Sequence, residues 1–528
     1  MRRLTNAVLG SVSLAAALAG PLACSGNGSS ANRDGGGAGG GSASGGTGGR
    51  AGSTGAGGGG RGGSSATGGS TGAGGSGSGS GGALGGFDGG PASMAKGPLR
   101  VDSTNPRYFN DGAGHVVFLV GSHTWGNFKD RDVNDPPPAF DYAKYLDFLQ
   151  AHNHNFFRLW TWEQPHSQVG GGEQGLRYLT PFAWPRTGPG NASDGKPKFD
   201  LSQFDDGYFA RLRARVVDAG ARGIYVSVML FDGYDMVNVY NDASGGFPYG
   251  SGNNVNGIAV TGPQAVTLSN AAATAIQEAY VRKVVDTVND LDNVLYEIAN
   301  EPDTTGVNWE YHFIDLVKTY EAGKPKQHPV GMTSTSPGTD SALTSSSADW
   351  ISPNTRLFSA SGSKVVLNDT DHAYYWSELR GDGVPAQRAW AWETIALGAQ
   401  PLFMDPYLEA RAGRNSPSGG NVDPYWEPLR YALGYTRSYA DRMDLAHAVP
   451  SASLSSTGYC LANPGTQYLV YQPSSGAFMV NVMAGTYTAE WFNPSTGTVA
   501  QSGSMTLAAG NRSFTPPFSG DAVLFLYR

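Results

Sequence analysis

The sequence predicts an α/β fold: a (β/α)8 TIM barrel followed by a small antiparallel β-sandwich. Three observations carry this. Short apolar runs alternate with amphipathic stretches eight times between His115 and Met404, and strand–helix alternation of this kind builds a parallel sheet. The fourth run, Asn293-Val-Leu-Tyr-Glu-Ile-Ala-Asn-Glu-Pro302, breaks off in Asn300, Glu301 and Pro302. Pro302 has no N–H and biases Glu301 away from helix, so the ladder stops and a carboxylate is left at the strand's C-terminal mouth. After Arg442 the texture changes to short alternating strands separated by turns, the pattern of a small sandwich. A doubly wound open sheet is the alternative to the barrel.

Before the barrel, the chain reads as export machinery. Arg2 and Arg3 precede an apolar Ala/Leu/Val run and then small residues, the layout of a secretory signal. Leu18-Ala-Gly-Pro-Leu-Ala-Cys24 looks like a lipoprotein signal with Cys24 lipidated, although Pro21 stands where Leu is usual; cleavage without lipidation is the alternative. The apolar run is short for a spanning helix, so membrane contact is expected through the lipid anchor only. Residues 25–96 are almost entirely Gly, Ser, Ala and Thr. They offer too little apolar surface to offset ordering entropy and read as a tether. The expected division is signal 1–24, linker 25–96, barrel 97–450 and β-domain 451–528. A net charge of −8 argues against a nucleic-acid partner. Cys24 and Cys460 are the only cysteines, so with Cys24 lipidated no intrachain disulfide forms and Cys460 is a buried small residue. A monomer is expected.

The elements follow in order. His115–Val120 is a core-type strand ending at Gly121-Ser-His-Thr-Trp125, followed by a helix near Phe140–Ala151 with Tyr142, Tyr145, Leu146 and Leu149 on one face. Asn155–Trp160 is the second strand, ending in Thr161-Trp-Glu-Gln164, with a long loop after it. A helix at Phe204–Ala219 leads to Ile224–Leu230, which ends in Phe231-Asp232-Gly233. A polar loop near 234–262 and a helix at Asn270–Asn289 deliver the fourth strand. A helix at Trp309–Tyr320 precedes His328–Thr333 and Asp349–Ser352, the weakest strands. Lys364–Asn368 runs into Asp369-Thr-Asp-His372. A Trp-rich helix near Ala386–Leu397 leads to Gln400–Met404 and Asp405. The last helix lies near Trp426–Arg442.

A barrel of this kind gathers chemistry at its strand ends: His123, Trp125, Arg158, Glu163, Asp232, Asn300, Glu301, Asp369, Asp371, His372 and Asp405. Glu301 and the Asp369/Asp371 pair come from opposite sides, strands four and seven. Two carboxylates facing across a sugar are what glycoside hydrolysis requires, one protonated to donate and one ionised to attack. Strand alternation puts Asp369 and Asp371 on one side and does not choose between them. Trp125, Trp160 and Trp162 offer flat sugar platforms. Glu163 and Asp405 suit substrate contact or the pinning of strand ends. A divalent cation held by Asp369, Asp371, His372 and His123 is the rival chemistry. His152-Asn-His154 has a metal-like spacing but falls at the opposite, structural end. No cofactor is called for.

Asn-Glu-Pro after strand four, an acid after strand seven and Asn155-x-x-Arg158 on strand two resemble the retaining (β/α)8 glycoside-hydrolase clan of the cellulase-like enzymes. More closely, Phe118-Leu-Val-Gly-Ser-His-Thr-Trp125, Asp369-Thr-Asp-His372 and Pro401-Leu-Phe-Met-Asp-Pro-Tyr407 resemble the apiosidase-like (DUF4038-type) hydrolases. The tail, with Thr457–Ala462, Tyr468–Tyr471 and Trp491-Phe-Asn-Pro494, is similar to the β-domain named for collagen binding in such proteins. The resemblance implies Glu301 as acid/base, Asn300 on the sugar hydroxyl beside the reacting carbon, and Arg158 steadying the nucleophile. It points to Asp369 as that nucleophile, with Asp371 the alternative, because the clan pattern has Glu where this chain has the shorter Asp369. His123, Trp125, Trp162, Glu163, His372 and Asp405 are the remaining expected substrate contacts.

Overall fold

The computed structural model describes residues 93–167, 176–237, 245–335, 340–374, 376–407 and 422–528. The expected signal, Cys24 and nearly all of the linker lie outside them.

Eight strands form the barrel: β1 (Gly121–His123), β2 (Phe156–Leu159), β3 (Tyr225–Asp232), β4 (Val294–Asn300), β5 (Val330–Thr333), β6 (Trp350–Ser352), β7 (Val365–Asp369) and β8 (Gln400–Met404). Neighbours pair in parallel from β2 through β8 and on to β1. At the last seam the Asn155 N–H donates to the Val120 carbonyl (2.9 Å), and the Asn155 side chain accepts from the Val120 N–H and donates to the Phe118 carbonyl. This seam is tight: a Cβ on Gly121 would sit 1.9 Å from the Phe156 carbonyl oxygen, so only glycine fits there.

The barrel helices are α1 (Tyr142–Ala151), α2 (Asp206–Gly220), α3 (Ala271–Val288), α4 (Val307–Glu321), α5 (Trp376–Ala396) and α6 (Glu427–Ala440). Asp141, Asp205 and Asn270 cap the first three by accepting backbone N–H groups three residues on, which satisfies otherwise orphaned donors. Gly383, at φ 82°, breaks α5 just before Pro385.

One expectation moves. His115–Val120 was to be the first barrel strand, but only Val116–Val117 is extended, as the third strand of an antiparallel meander with Arg100–Val101 and Phe109–Asn110. The barrel strand is the polar segment that follows. Leu119 and Phe109 instead join the apolar cluster of Phe156, Tyr225, Leu295, Trp350, Val365, Leu367 and Leu402, which fills the lower half of the barrel. Trp350 fits because Gly331 has no side chain; a Cβ there would lie 1.8 Å from its ring. The long loop near 165–200 is not structureless: Arg177–Thr180 pairs with Asp130–Asp132 on one side and His166–Ser167 on the other, and Arg186–Asn191 forms a hairpin with Pro197–Phe199.

The C-terminal strands are β9 (Cys460–Asn463), β10 (Gln467–Gln472), β11 (Phe478–Val482), β12 (Gly485–Asn493), β13 (Thr498–Leu507), β14 (Gly510–Phe514) and β15 (Ala522–Tyr527). The main sheet runs β9, β10, β15, β12, β13, and β11 pairs with β14. Both faces of β9, β10 and β15 are buried, which period-two alternation allows, while the edge strand β13 is exposed. Cys460, Val470, Leu524 and Leu526 face Phe478 and Val480 in the sandwich core, while Leu461, Leu469, Phe492 and Phe525 pack on Trp392, Leu433 and Tyr439 of the barrel helices. Arg388–Asp521 (2.8 Å) and Arg442–Glu490 (2.8 Å) flank that contact. Cys460 is buried and free.

Candidate active site

The upper half of the barrel is built on one cation. Arg158, on β2, is fully buried and meets three carboxylates. Its Nε donates to Glu297 Oε2 at 2.9 Å and its Nη2 to Glu297 Oε1. Nη1 donates to Asp369 Oδ2 at 2.9 Å and to Asp371 Oδ2 at 3.0 Å. Nη2 also reaches Asn300 Oδ1 at 2.7 Å. The fork geometry of arginine suits such multiple acceptance.

Asp369 and Asp371 sit differently around it. Asp369 ends β7, has no exposure, and is saturated: His123 Nε2 lies 3.1 Å from Oδ1, the Asp371 N–H donates to Oδ1 at 3.0 Å, and Arg158 holds Oδ2. Burial pushes its carboxyl up, but His123 and Arg158 outweigh this and hold it well below the aspartate range. Asp371 lies two residues further on, in the short helix Thr370–Ala373, which Asp369 caps. Burial is again outweighed, here by His372 and Arg158, and the Asp371 carboxyl stays below its ordinary value.

Glu301 follows β4 with a left-handed backbone, φ 41°, an uncommon conformation for a non-glycine residue and one that clusters at functional sites. It is partly exposed. Among the described residues no hydrogen bond holds its carboxyl. Burial, and next the negative charge of Asp371, push it up to about 8.

The surroundings set these groups in place. The His123 ring stacks on Trp160, with centroids 5.5 Å apart. Trp160 Nε1 donates to Asp232 Oδ2 at 3.2 Å, and Asn300 Nδ2 approaches Asp232 Oδ1 at 3.4 Å. Asp232 is driven well up by burial and by Asp235. Ser352 Oγ lies 2.8 Å from His372 Nε2. Among the described residues no group of three or more His, Cys, Asp or Glu side chains is arranged to hold a metal ion.

The expected site residues therefore divide. Glu301, Asn300, Arg158, Asp369, Asp371, His123 and His372 converge. His123 is fully buried and reaches Asp369, so direct contact with substrate gives way to support of that carboxylate. Trp162 is 2% exposed, and its Nε1 donates to the Trp125 carbonyl. It lies under partly exposed Trp125 rather than presenting a platform, and Trp160 is equally buried. Glu163 is buried beside Lys129; burial raises its carboxyl to about 7, and its backbone N–H donates to Asp235 Oδ2 at 2.7 Å. Asp405 gives both oxygens to Arg430 of α6, at 2.7 and 2.6 Å, and Oδ1 also accepts the Tyr407 N–H. It pins the end of β8, and its side chain has no exposed surface for a sugar to reach. His152 and His154 serve the barrel bottom, against Glu427 and the Arg430 carbonyl.

Two residues escaped the sequence reading. Glu297 was treated as part of an apolar strand, although a lone carboxylate four residues before Glu301, on the inward face with Leu295, signals a buried partner. Partly exposed Tyr234, raised by burial and then by the charge of Glu301, marks a further mouth residue on the segment after β3.

The comparisons with known proteins bear on this architecture. Residues 175–351 match a family model described as "Domain of unknown function (DUF6298)". This is a different model from the apiosidase-like one that the motifs suggested. Residues 448–526 match the "Putative collagen-binding domain of a collagenase", in keeping with the resemblance of the tail. No curated protein matches the chain in sequence. Among solved structures, a glycoside hydrolase family 5 protein from Bacteroides vulgatus superposes with a TM-score of 0.55 over 83% of this chain and 95% of its own, at 12% identity. Another, named as a glycoside hydrolase, gives 0.52 over 82% and 97%, also at 12% identity. At such identity the likeness is one of fold, a TIM barrel with a C-terminal β-domain.

Proposed function

We propose that the chain is a glycoside hydrolase acting on a polysaccharide or oligosaccharide, with Glu301 as acid/base and Asp371 as nucleophile. The observation that carries this is a pair of carboxyls at one barrel mouth whose environments push them apart: Glu301 up to about 8 and Asp371 down. One group is thus protonated and the other ionised at neutral pH, the condition for divided acid and nucleophile roles. The solved glycoside hydrolases of the same fold support the assignment of reaction class.

In this reading Asp371 attacks the anomeric carbon as the glycosidic bond breaks, and Glu301 gives its proton to the departing oxygen. Glu301 then takes a proton from water, whose oxygen attacks the same carbon and releases the Asp371 carboxylate. Configuration is retained. Asp371 replaces Asp369 in the nucleophile role because every oxygen of Asp369 is occupied and out of contact with solvent, while Asp369 fixes the Asp371 backbone. No cofactor enters any step. Export with a lipid at Cys24 belongs to the same proposal, supported by the signal-like N-terminus; a Cys24→Ala chain that still partitions with membranes would remove the anchor from it.

The test is release of reducing ends from a panel of plant and bacterial polysaccharides by the full chain, with Glu301→Gln and Asp371→Asn in parallel. Release by wild type alone supports the reading, and the anomer first formed, followed by NMR, decides retention. Tight glycan binding without any release would make the barrel a binding module instead.

A further inference from the structure

A buried chain at the mouth goes beyond the two-carboxylate scheme. Ser352 closes β6, and its Oγ lies 2.8 Å from His372 Nε2. The His372 side chain has no exposed surface, and its Nδ1 has no hydrogen-bond partner. Asp371 Oδ2 lies 3.7 Å from that nitrogen, just beyond hydrogen-bond reach. Buried polar groups are nearly always paired, and an orphan asks for an explanation. Ser352 is 1% exposed, which puts it out of a substrate's reach, so the trio is not a hydrolytic triad. What it does is fix a ring: with Nε2 tied to Ser352, Nδ1 is the edge turned to the carboxylates.

The charged groups around that ring come from three elements. Asp369 and Asp371 belong to its own turn, Glu301 follows β4, and Arg158 stands on β2 with three carboxylates to serve. A single guanidinium leaves this cluster short of positive charge. Burial lowers the His372 ring, but Asp371, Asp369 and Glu301 outweigh it and raise it above its ordinary value.

We propose that His372 is a positioning residue: held by Ser352, it keeps a proton on Nδ1 against Asp371 and beside Glu301, so that the first stays ionised while the second can give up its proton. This rests on the roles given above to Glu301 and Asp371. Its consequence is a linked pH dependence. The His372 cation stabilises the ionised form of both carboxyls, so its removal raises both, and both limbs of the pH profile move to higher pH.

Two measurements test this on the full chain. The first needs no substrate: NMR of ring-labelled histidine, with the His372 signal identified by its loss in His372→Gln. The ring is expected to titrate above the ordinary 6.5 of histidine, and its titration is expected to move in Ser352→Ala and again in Asp371→Asn; a ring that ignores both substitutions overturns the proposal. The second is the pH profile of kcat/KM. His372→Ala is expected to lower kcat by roughly tenfold or more with KM little changed, and to shift both limbs upward. His372→Asn, which offers an uncharged donor at the Nδ1 position, is expected to recover part of kcat while keeping the shifted limbs. Unmoved limbs in both variants overturn the proposal. Should wild type cleave no glycan, the hydrolase reading falls, and the ring titration still decides the link among Ser352, His372 and Asp371.

Discussion

The inner face of the barrel changes character within two residues of the same strands. On β2 Phe156 gives way to Arg158, on β4 Leu295 to Glu297, and on β7 Leu367 to Asp369; in each pair both residues are buried. Alternation puts members i and i+2 on one face, so each strand carries an apolar residue low in the barrel and a charged one above it. The lower layer is held by burial, with the Trp350 ring over Gly331. The upper layer buries one arginine among three carboxylates, an arrangement that apolar residues of similar volume would commonly equal or better in stability. The lower half fits a stabilising role and the upper half a chemical one, and substitutions should separate the two.

The largest separation is expected between Glu301→Gln and Trp350→Ala. The first should cost ~10²–10⁴-fold in kcat, the usual range for a general acid/base, with the melting temperature held within a few degrees. The second should cost about 3–5 kcal/mol of stability, read by denaturant unfolding, with kcat per folded molecule unchanged. A large loss of stability in Glu301→Gln would break the division.

A sharper comparison lies inside the upper layer. Asp371→Asn should abolish turnover as Glu301→Gln does. Asp369→Asn keeps an oxygen for the Asp371 N–H but weakens the contacts of His123 and Arg158, each charge-assisted bond being worth about 1.5–3 kcal/mol. It should lower the unfolding midpoint visibly while leaving turnover within roughly tenfold of wild type. The reverse pattern, stable but inert Asp369→Asn and active Asp371→Asn, would return the nucleophile role to Asp369.

The division also accounts for what the sequence disclosed. Strands two to eight were legible because each is a continuous buried run, and both faces of a barrel strand are covered. Even Val330–Thr333 and Trp350–Ser352, the shortest of those runs, pair in the predicted order. The first strand was misplaced because the apolar run before Gly121 seals the barrel bottom, its Leu119 and Val120 N–H groups donating to the side-chain amides of Gln400 and Asn155, while the strand itself is polar. At the site, Glu301, Asn300 and Arg158 were visible as breaks in apolar texture. Asp405 stayed open between substrate contact and strand pinning because the partner that decides for pinning, Arg430, comes from a helix after the barrel strands, and no local pattern links them. Trp162 was misjudged because flatness says nothing of exposure. The loops near 165–200 and 234–262 lie partly outside the described residues.

The smallest expected effect is the pH dependence of stability, and it distinguishes the layers by sign. Glu301 is raised from 4.5 to about 8 on folding. A raised acid stabilises the fold fully below its unfolded value, and that contribution fades as pH climbs from about 4.5 and is gone above about 8. Asp371 is lowered from 3.8; its contribution is complete above 3.8 and is lost as pH falls through its folded value. The upper layer should therefore be most stable in mild acid, and wild-type stability should decline from pH 5 to pH 8 by roughly 1–3 kcal/mol. Glu301→Gln removes one of the raised groups, alongside Glu163, Asp232 and His372, and should make that decline shallower, whereas Trp350→Ala should lower stability by the same amount at every pH. A wild-type curve that is flat over this range, or a Glu301→Gln curve parallel to it, would mean that Glu301 is not held protonated by its surroundings, and the acid/base assignment would then rest on position alone.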